Sequence, residues 1–135
     1  MIRRWNPETL AAPIGLYSHL SHVPADHELV VVSGQVGVLP DGSLAGEDAE
    51  SQTRAVFANI ERAFRAAGAG PDQLVKVFSM VAGAENLAGF RAGVREAFTR
   101  WFPGGDWPAQ SLIVVSALAR PEILVEVEVM IAVPR

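Results

Sequence analysis

A chain of 135 residues, half of them apolar and 19% charged, is long enough for one domain with its own core and has the balance of a globular protein. It contains no cysteine, which excludes disulfides, thiolate metal sites and a cysteine nucleophile, and fits a reducing cytoplasm. The net charge is −4 and Lys76 is the single lysine, so there is no basic footprint for nucleic acid.

No run approaches the roughly 18 apolar residues of a membrane span, and no apolar stretch follows the N-terminus as in a signal peptide. No repeat or linker divides the sequence, so a single domain over 1–135 is expected. From the N-terminus, a short strand is expected over 17–22. A turn at Pro24, Ala25 and Asp26 then leads into a buried, β-branched strand over 28–36. Pro40, Asp41, Gly42 and Ser43 signal a turn.

Residues 47–67 read as a helix, because Val56, Phe57, Ile60, Ala63, Phe64 and Ala67 recur at three- and four-residue steps. Glu47, Asp48 and Glu50 suit its positive N-terminal end, and Gly68 suits a left-handed cap. A second strand is expected over 74–82. A second helix follows over 85–101, with Leu87, Phe90, Val94, Phe98 and Trp101 on one side, and Pro103, Gly104 and Gly105 stop it. Strands over 109–118 and 123–133 complete the chain, separated by Arg120 and Pro121.

The order β-β-α-β-α-β-β, with hairpin-like pairs at both ends, predicts an α+β fold with a mixed sheet and two helices on one face. In the last strand, positions 123, 125, 127, 129, 131 and 133 are all Ile or Val, while the alternate face carries Leu124, Glu126, Glu128, Met130 and Ala132. Two helices cover only one face, and the other is also largely apolar. That pattern predicts an obligate oligomer.

Glu126 and Glu128 are two apart and share a sheet face. Among apolar neighbours a carboxylate either finds a partner or lines a cleft, because unpaired burial is costly. Two readings stand: general acid–base work in a cleft, or ion pairs with arginines at an interface or a solvated edge. His19, His22 and His27 lack the pattern of a metal site, and no cofactor motif is present. Ser33 and Ser111 sit in no nucleophile elbow and read as small strand residues. Lys76 reads as a strand-end lysine rather than a Schiff base. Arg54, Arg62 and Arg65 read as the solvated side of the first helix.

Several segments taken together resemble the RidA/YjgF family along nearly the whole chain. These are Gly15-Leu16-Tyr17-Ser18, Val32-Ser33-Gly34-Gln35, Gln52-Thr53-Arg54 with Asn59-Ile60, and Ala66-Ala67-Gly68. Leu74-Val75-Lys76-Val77, Phe102-Pro103, Pro108-Ala109-Gln110-Ser111 and Val125-Glu126-Val127-Glu128 extend the match. The resemblance implies a chorismate-mutase-like α+β fold and a homotrimer whose sheets form a central barrel, with small-molecule sites in the clefts between subunits. In deaminating members an arginine grips the substrate carboxylate, a glutamate activates water, and a tyrosine and backbone groups close the pocket. Their substrates are imines and enamines such as 2-iminopropionate, hydrolysed to 2-oxo acids and ammonia.

Carried over, the resemblance makes Glu126 the water-handling residue and Tyr17 and Ser33 pocket residues. It puts Gln110 at the arginine position and Ala92 where the deaminases often have an asparagine. Arginine is a charged planar fork, whereas glutamine is a neutral amide. The exchange weakens a carboxylate contact by about 2–4 kcal/mol. Arg120, or an arginine of a neighbouring subunit, is the candidate to compensate. The expected function is a RidA-like hydrolase of imine or enamine metabolites with altered specificity; the alternative is a non-catalytic trimer that binds a metabolite or a protein. RNA cleavage is disfavoured, since there is no basic groove and no suitable histidine pair.

Overall fold

The computed structural model describes residues 1–135. Six strands and two helices follow one another as β1 (Arg3–Trp5), β2 (Leu20–His22), β3 (His27–Val36), α1 (Ala49–Ala66), β4 (Leu74–Ala82), α2 (Leu87–Trp101), β5 (Ala109–Val115) and β6 (Val125–Pro134). The main sheet has the order β3-β6-β4-β5. β6 runs antiparallel to both of its neighbours, so β3 and β4 are parallel to each other, and β4 is parallel to β5. Each parallel pair needs a crossover, and α1 and α2 supply them. Both crossovers step the same way across the sheet, so a common handedness lays both helices on one face.

The stripes read from the sequence form the interface. Val56, Phe57, Ile60 and Phe64 of α1 and Phe90, Val94, Phe98 and Trp101 of α2 pack on Val77, Val81, Val125, Val127, Val129 and Ile131 of the sheet. Trp101 sits 5.3 Å from both the Phe57 and Phe64 ring centres. Burying each such side chain contributes roughly 1.5–3 kcal/mol. Asp48 lies just outside α1 as its cap, accepting from the Ser51 amide at 2.8 Å. Gly68, at φ 66°, ends the following turn in the left-handed region. One short 3₁₀ turn precedes β4 and another precedes α2, which begins at Leu87 rather than 85.

The expected hairpins at the two ends are not formed. The strand expected over 17–22 shrinks to β2, which pairs with β1 in a separate two-stranded ribbon and not with β3. β5 and β6 are not neighbours, because β4 lies between them. β5 follows a helix that returns it parallel beside β4, and β6 then fills the gap between β3 and β4. β1 has too few residues for any periodicity. What fixes it is Arg4, whose side chain is 2% exposed. Its guanidinium donates to the carbonyls of Leu74 and Asp72 at 2.7 and 3.1 Å and to the Asp106 carboxylate at 2.8 Å.

The other face of the sheet is bare within the chain. Register places Leu29 and Val31 of β3, Glu126, Glu128 and Met130 of β6, Lys76, Phe78 and Met80 of β4, and Ser111 and Ile113 of β5 on it. Val31 is 69% exposed and Leu29 58%. No helix is long and apolar enough to cross a membrane.

Candidate functional site

Glu126 owes its position to an irregularity in β3. Val32 pairs with Val129 and Gln35 with Val127, so Ser33 and Gly34 together face Glu128 as a β-bulge. The bulge turns Gly34 toward β6, and the Glu126 side chain lies over it. A Cβ at position 34 would come within 2.7 Å of Glu126 Cδ and 2.9 Å of Cγ and would collide with Oε2. Glycine is thus what allows the carboxylate to lie against the strand. Glu126 is half-buried and Glu128 exposed, and neither takes part in the side-chain hydrogen bonds or ion pairs of the chain. Ser33, Gly34, Glu126 and Glu128 form one cluster on the bare face.

Gln110 and Tyr17 form a second cluster. Gln110 pairs with Val77, a core residue, so its side chain points to the helix side of the edge strand β5. Its Nε2 donates to the Leu16 carbonyl at 2.7 Å. The Ser18 amide donates to the Pro108 carbonyl at 3.1 Å, and the Ala109 amide to Ser21 Oγ at 3.1 Å. The 16–21 segment is therefore stitched along the start of β5. The Tyr17 hydroxyl accepts from the Ile14 amide at 3.3 Å, and its ring stands edge-on to His19.

The four sequence-derived site residues thus fall into two groups, Glu126 with Ser33 and Gln110 with Tyr17. Glu126 and Gln110 lie on opposite faces with β4 between their strands. Two strand spacings across and three residues along amount to about 14 Å. Within one chain these groups do not meet over a common ligand.

The remaining candidates also have defined places. Arg120 pairs with Glu122 at 3.2 Å in the loop between β5 and β6. Ala92 is exposed on α2. His19 Nε2 contacts the Ala11 carbonyl at 2.7 Å, and His27 sits beside Asp26 at 2.7 Å. No three histidine or carboxylate side chains converge as metal ligands. Lys76 and Ser111 are brought together by the parallel register of β4 and β5, and Nζ donates to Oγ at 2.9 Å. Lys76, Phe78, Glu128, Val31 and Met130 edge a depression of about 50 Å³ on the bare face. Position 34 is the one site-forming residue not singled out from the sequence for a role; its signal was a glycine interrupting a β-branched run.

The Endoribonuclease L-PSP family model matches residues 9–133. A crystal structure of YyfB, a protein of the conserved Rid family from Yersinia pestis, superposes with a TM-score of 0.85 at 30% identity, covering 98% of each chain. A RutC family protein of Pyrococcus abyssi is 31% identical over 122 residues, 90% of this chain and 89% of that one. Protein HMF1 of Saccharomyces cerevisiae is 29% identical over 111 residues, 82% of this chain and 80% of that one.

Proposed function

The chain belongs to the Endoribonuclease L-PSP family, the RidA/YjgF proteins, and from that premise we propose that it is a small-molecule hydrolase of imine or enamine substrates. The observation that carries this reading is the Glu126 carboxylate, seated over Gly34 with no partner of its own. An unpartnered carboxylate on a rigid central strand is suited to hold a water and take its proton. Water adds to the C=N carbon, the nitrogen takes up protons, and the carbinolamine collapses to a carbonyl compound and ammonia. One water is consumed for each ammonia released. Ser33, Tyr17 and Gln110 contact the substrate.

The two clusters close on one ligand if copies associate through their bare faces and edges. A homotrimer, the arrangement the family resemblance implies, does this with three equivalent sites. Gln110 then meets the substrate with a neutral amide, which shifts specificity away from imino acids held through their carboxylate. RNA is an unsuitable substrate on charge, because the net charge is −4 and the bare face carries two carboxylates against Lys76.

Ammonia release from 2-iminopropionate generated in situ tests the reading, with wild type, Glu126→Gln and Gln110→Arg compared. Glu126→Gln is expected to lower turnover by about 10²-fold or more. Gln110→Arg is expected to raise turnover of this carboxylate-bearing substrate. If wild type and Gln110→Arg are both inactive as folded oligomers, the hydrolase reading fails and a binding role takes its place.

A further inference from the structure

The hydrogen bond from Gln110 to Leu16 fixes more than a loop. An amide set 2.7 Å from a carbonyl oxygen must present its nitrogen there, because the reversed amide would oppose two oxygens. The Gln110 oxygen accepts from no donor of the chain and is not among its enclosed unpartnered polar atoms, so it reaches the surface. The other cluster offers the Glu126 carboxylate, an acceptor only. The hydroxyls of Tyr17 and Ser33 can donate or accept. Neither cluster holds an arginine free to grip a carboxylate: Arg4 is buried on the carbonyls of Leu74 and Asp72 and on Asp106, and Arg120 is paired with Glu122. Lys76, which donates to the Ser111 hydroxyl, keeps its charge but lines the same depression as Glu128, and with Glu126 the carboxylates there outnumber it.

An acceptor-rich, anionic site disfavours a carboxylate and favours N–H groups. We propose that the amide oxygen of Gln110 is a specificity-determining contact, and that the site takes a ligand presenting an N–H donor there and no carboxylate. The substrate class is thus the imine of an amine or of an amino-acid amide, not that of a free amino acid. This rests on the reading that the two clusters close on one ligand.

Calorimetric titration of the assembled protein with butanamide and with butanoate tests the proposal without depending on turnover. The two ligands are alike in size and differ in offering N–H donors or a negative charge. Wild type is expected to bind butanamide at least tenfold more tightly than butanoate. Gln110→Arg, which can still donate to the Leu16 carbonyl, is expected to reverse the order. Gln110→Leu, which keeps bulk but has no oxygen, is expected to lose at least tenfold for butanamide. Tighter binding of butanoate by wild type, no saturable butanamide binding, or an unchanged order in Gln110→Arg overturns the proposal. A preference for butanamide with no ammonia release from any imine would sink the hydrolase reading, and the imine substrate with it, and leave the Gln110 contact standing as a binding determinant. Ammonia release without the preference does the reverse.

Discussion

Glycine at 34 decides where the Glu126 carboxylate can lie, because any side chain there would occupy the same space. Gly34→Ala should therefore act on chemistry before it acts on folding. The expected result is a fall in kcat of about 10²-fold, near that of Glu126→Gln, with an unchanged circular dichroism spectrum. A wild-type rate in that variant would mean the carboxylate works from another position. Gln52 is the other residue whose role the structure discloses. Fully buried in α1, it donates to the carbonyls of Gly46 and Glu122 at 3.0 and 2.9 Å and accepts from the Leu124 amide at 2.9 Å. It thus sets the entry of β6, two residues before Glu126. Gln52→Leu strands those three groups, at about 1–3 kcal/mol for a buried unsatisfied group. A destabilisation of about 3 kcal/mol is expected, read as a lower urea midpoint at unchanged slope. The sequence marked Glu126 through period-two alternation, and it offered Gln52 only as part of the Gln52-Thr53-Arg54 match, with no sign that the side chain is buried. Burial of an amide is decided by which carbonyls tertiary packing brings to it.

At the scale of elements, the helix pair is joined on its outer side by Glu61, whose Oε1 accepts from Arg100 at 2.6 Å and from Trp101 Nε1 at 2.7 Å. Burial pushes the Glu61 carboxyl up, but the hydrogen bonds from Arg100 and Trp101 and the charge of Arg100 outweigh it and hold it below 4.5. A lowered folded-state value means that the carboxylate stabilises the fold above 4.5 and loses that contribution as pH falls through the folded value. Glu61→Gln should lower the urea midpoint at about pH 7, and the gap to wild type should narrow progressively as pH falls below 4.5. A gap that persists at low pH would assign the effect to packing instead of charge. The long elements were legible because α1, α2 and β6 carry several turns or pleats of consistent periodicity, and because β3 and β4 are apolar runs rich in β-branched residues. β1 and β2 have three residues each and can show no period. Their pairing depends on Arg4 reaching carbonyls about 70 residues away. Strand order was illegible for the same reason, since hairpin adjacency is the local expectation and β6 inserts between β3 and β4 only once both crossovers are made.

The whole molecule has one face dressed by helices and one left bare, with Val31 and Leu29 more than half exposed on it. Apolar residues clustered on a sheet face are stable when another copy covers them. Val31→Asp should lower the mass measured by sedimentation to that of one chain, and remove activity although no site residue has changed. The separation of the two clusters permits a stronger test. If each site takes Glu126 from one copy and Tyr17 with Gln110 from the next, then Glu126→Gln chains and Tyr17→Ala/Gln110→Ala chains should each be inactive alone. Co-assembled in equal amounts, a site is intact only when its glutamate comes from the second kind of chain and its Gln110 from the first. Random mixing gives one half times one half, so about one quarter of wild-type turnover should return. Intact sites built inside one chain would give no recovery at all, because every chain in the mixture would still lack one half.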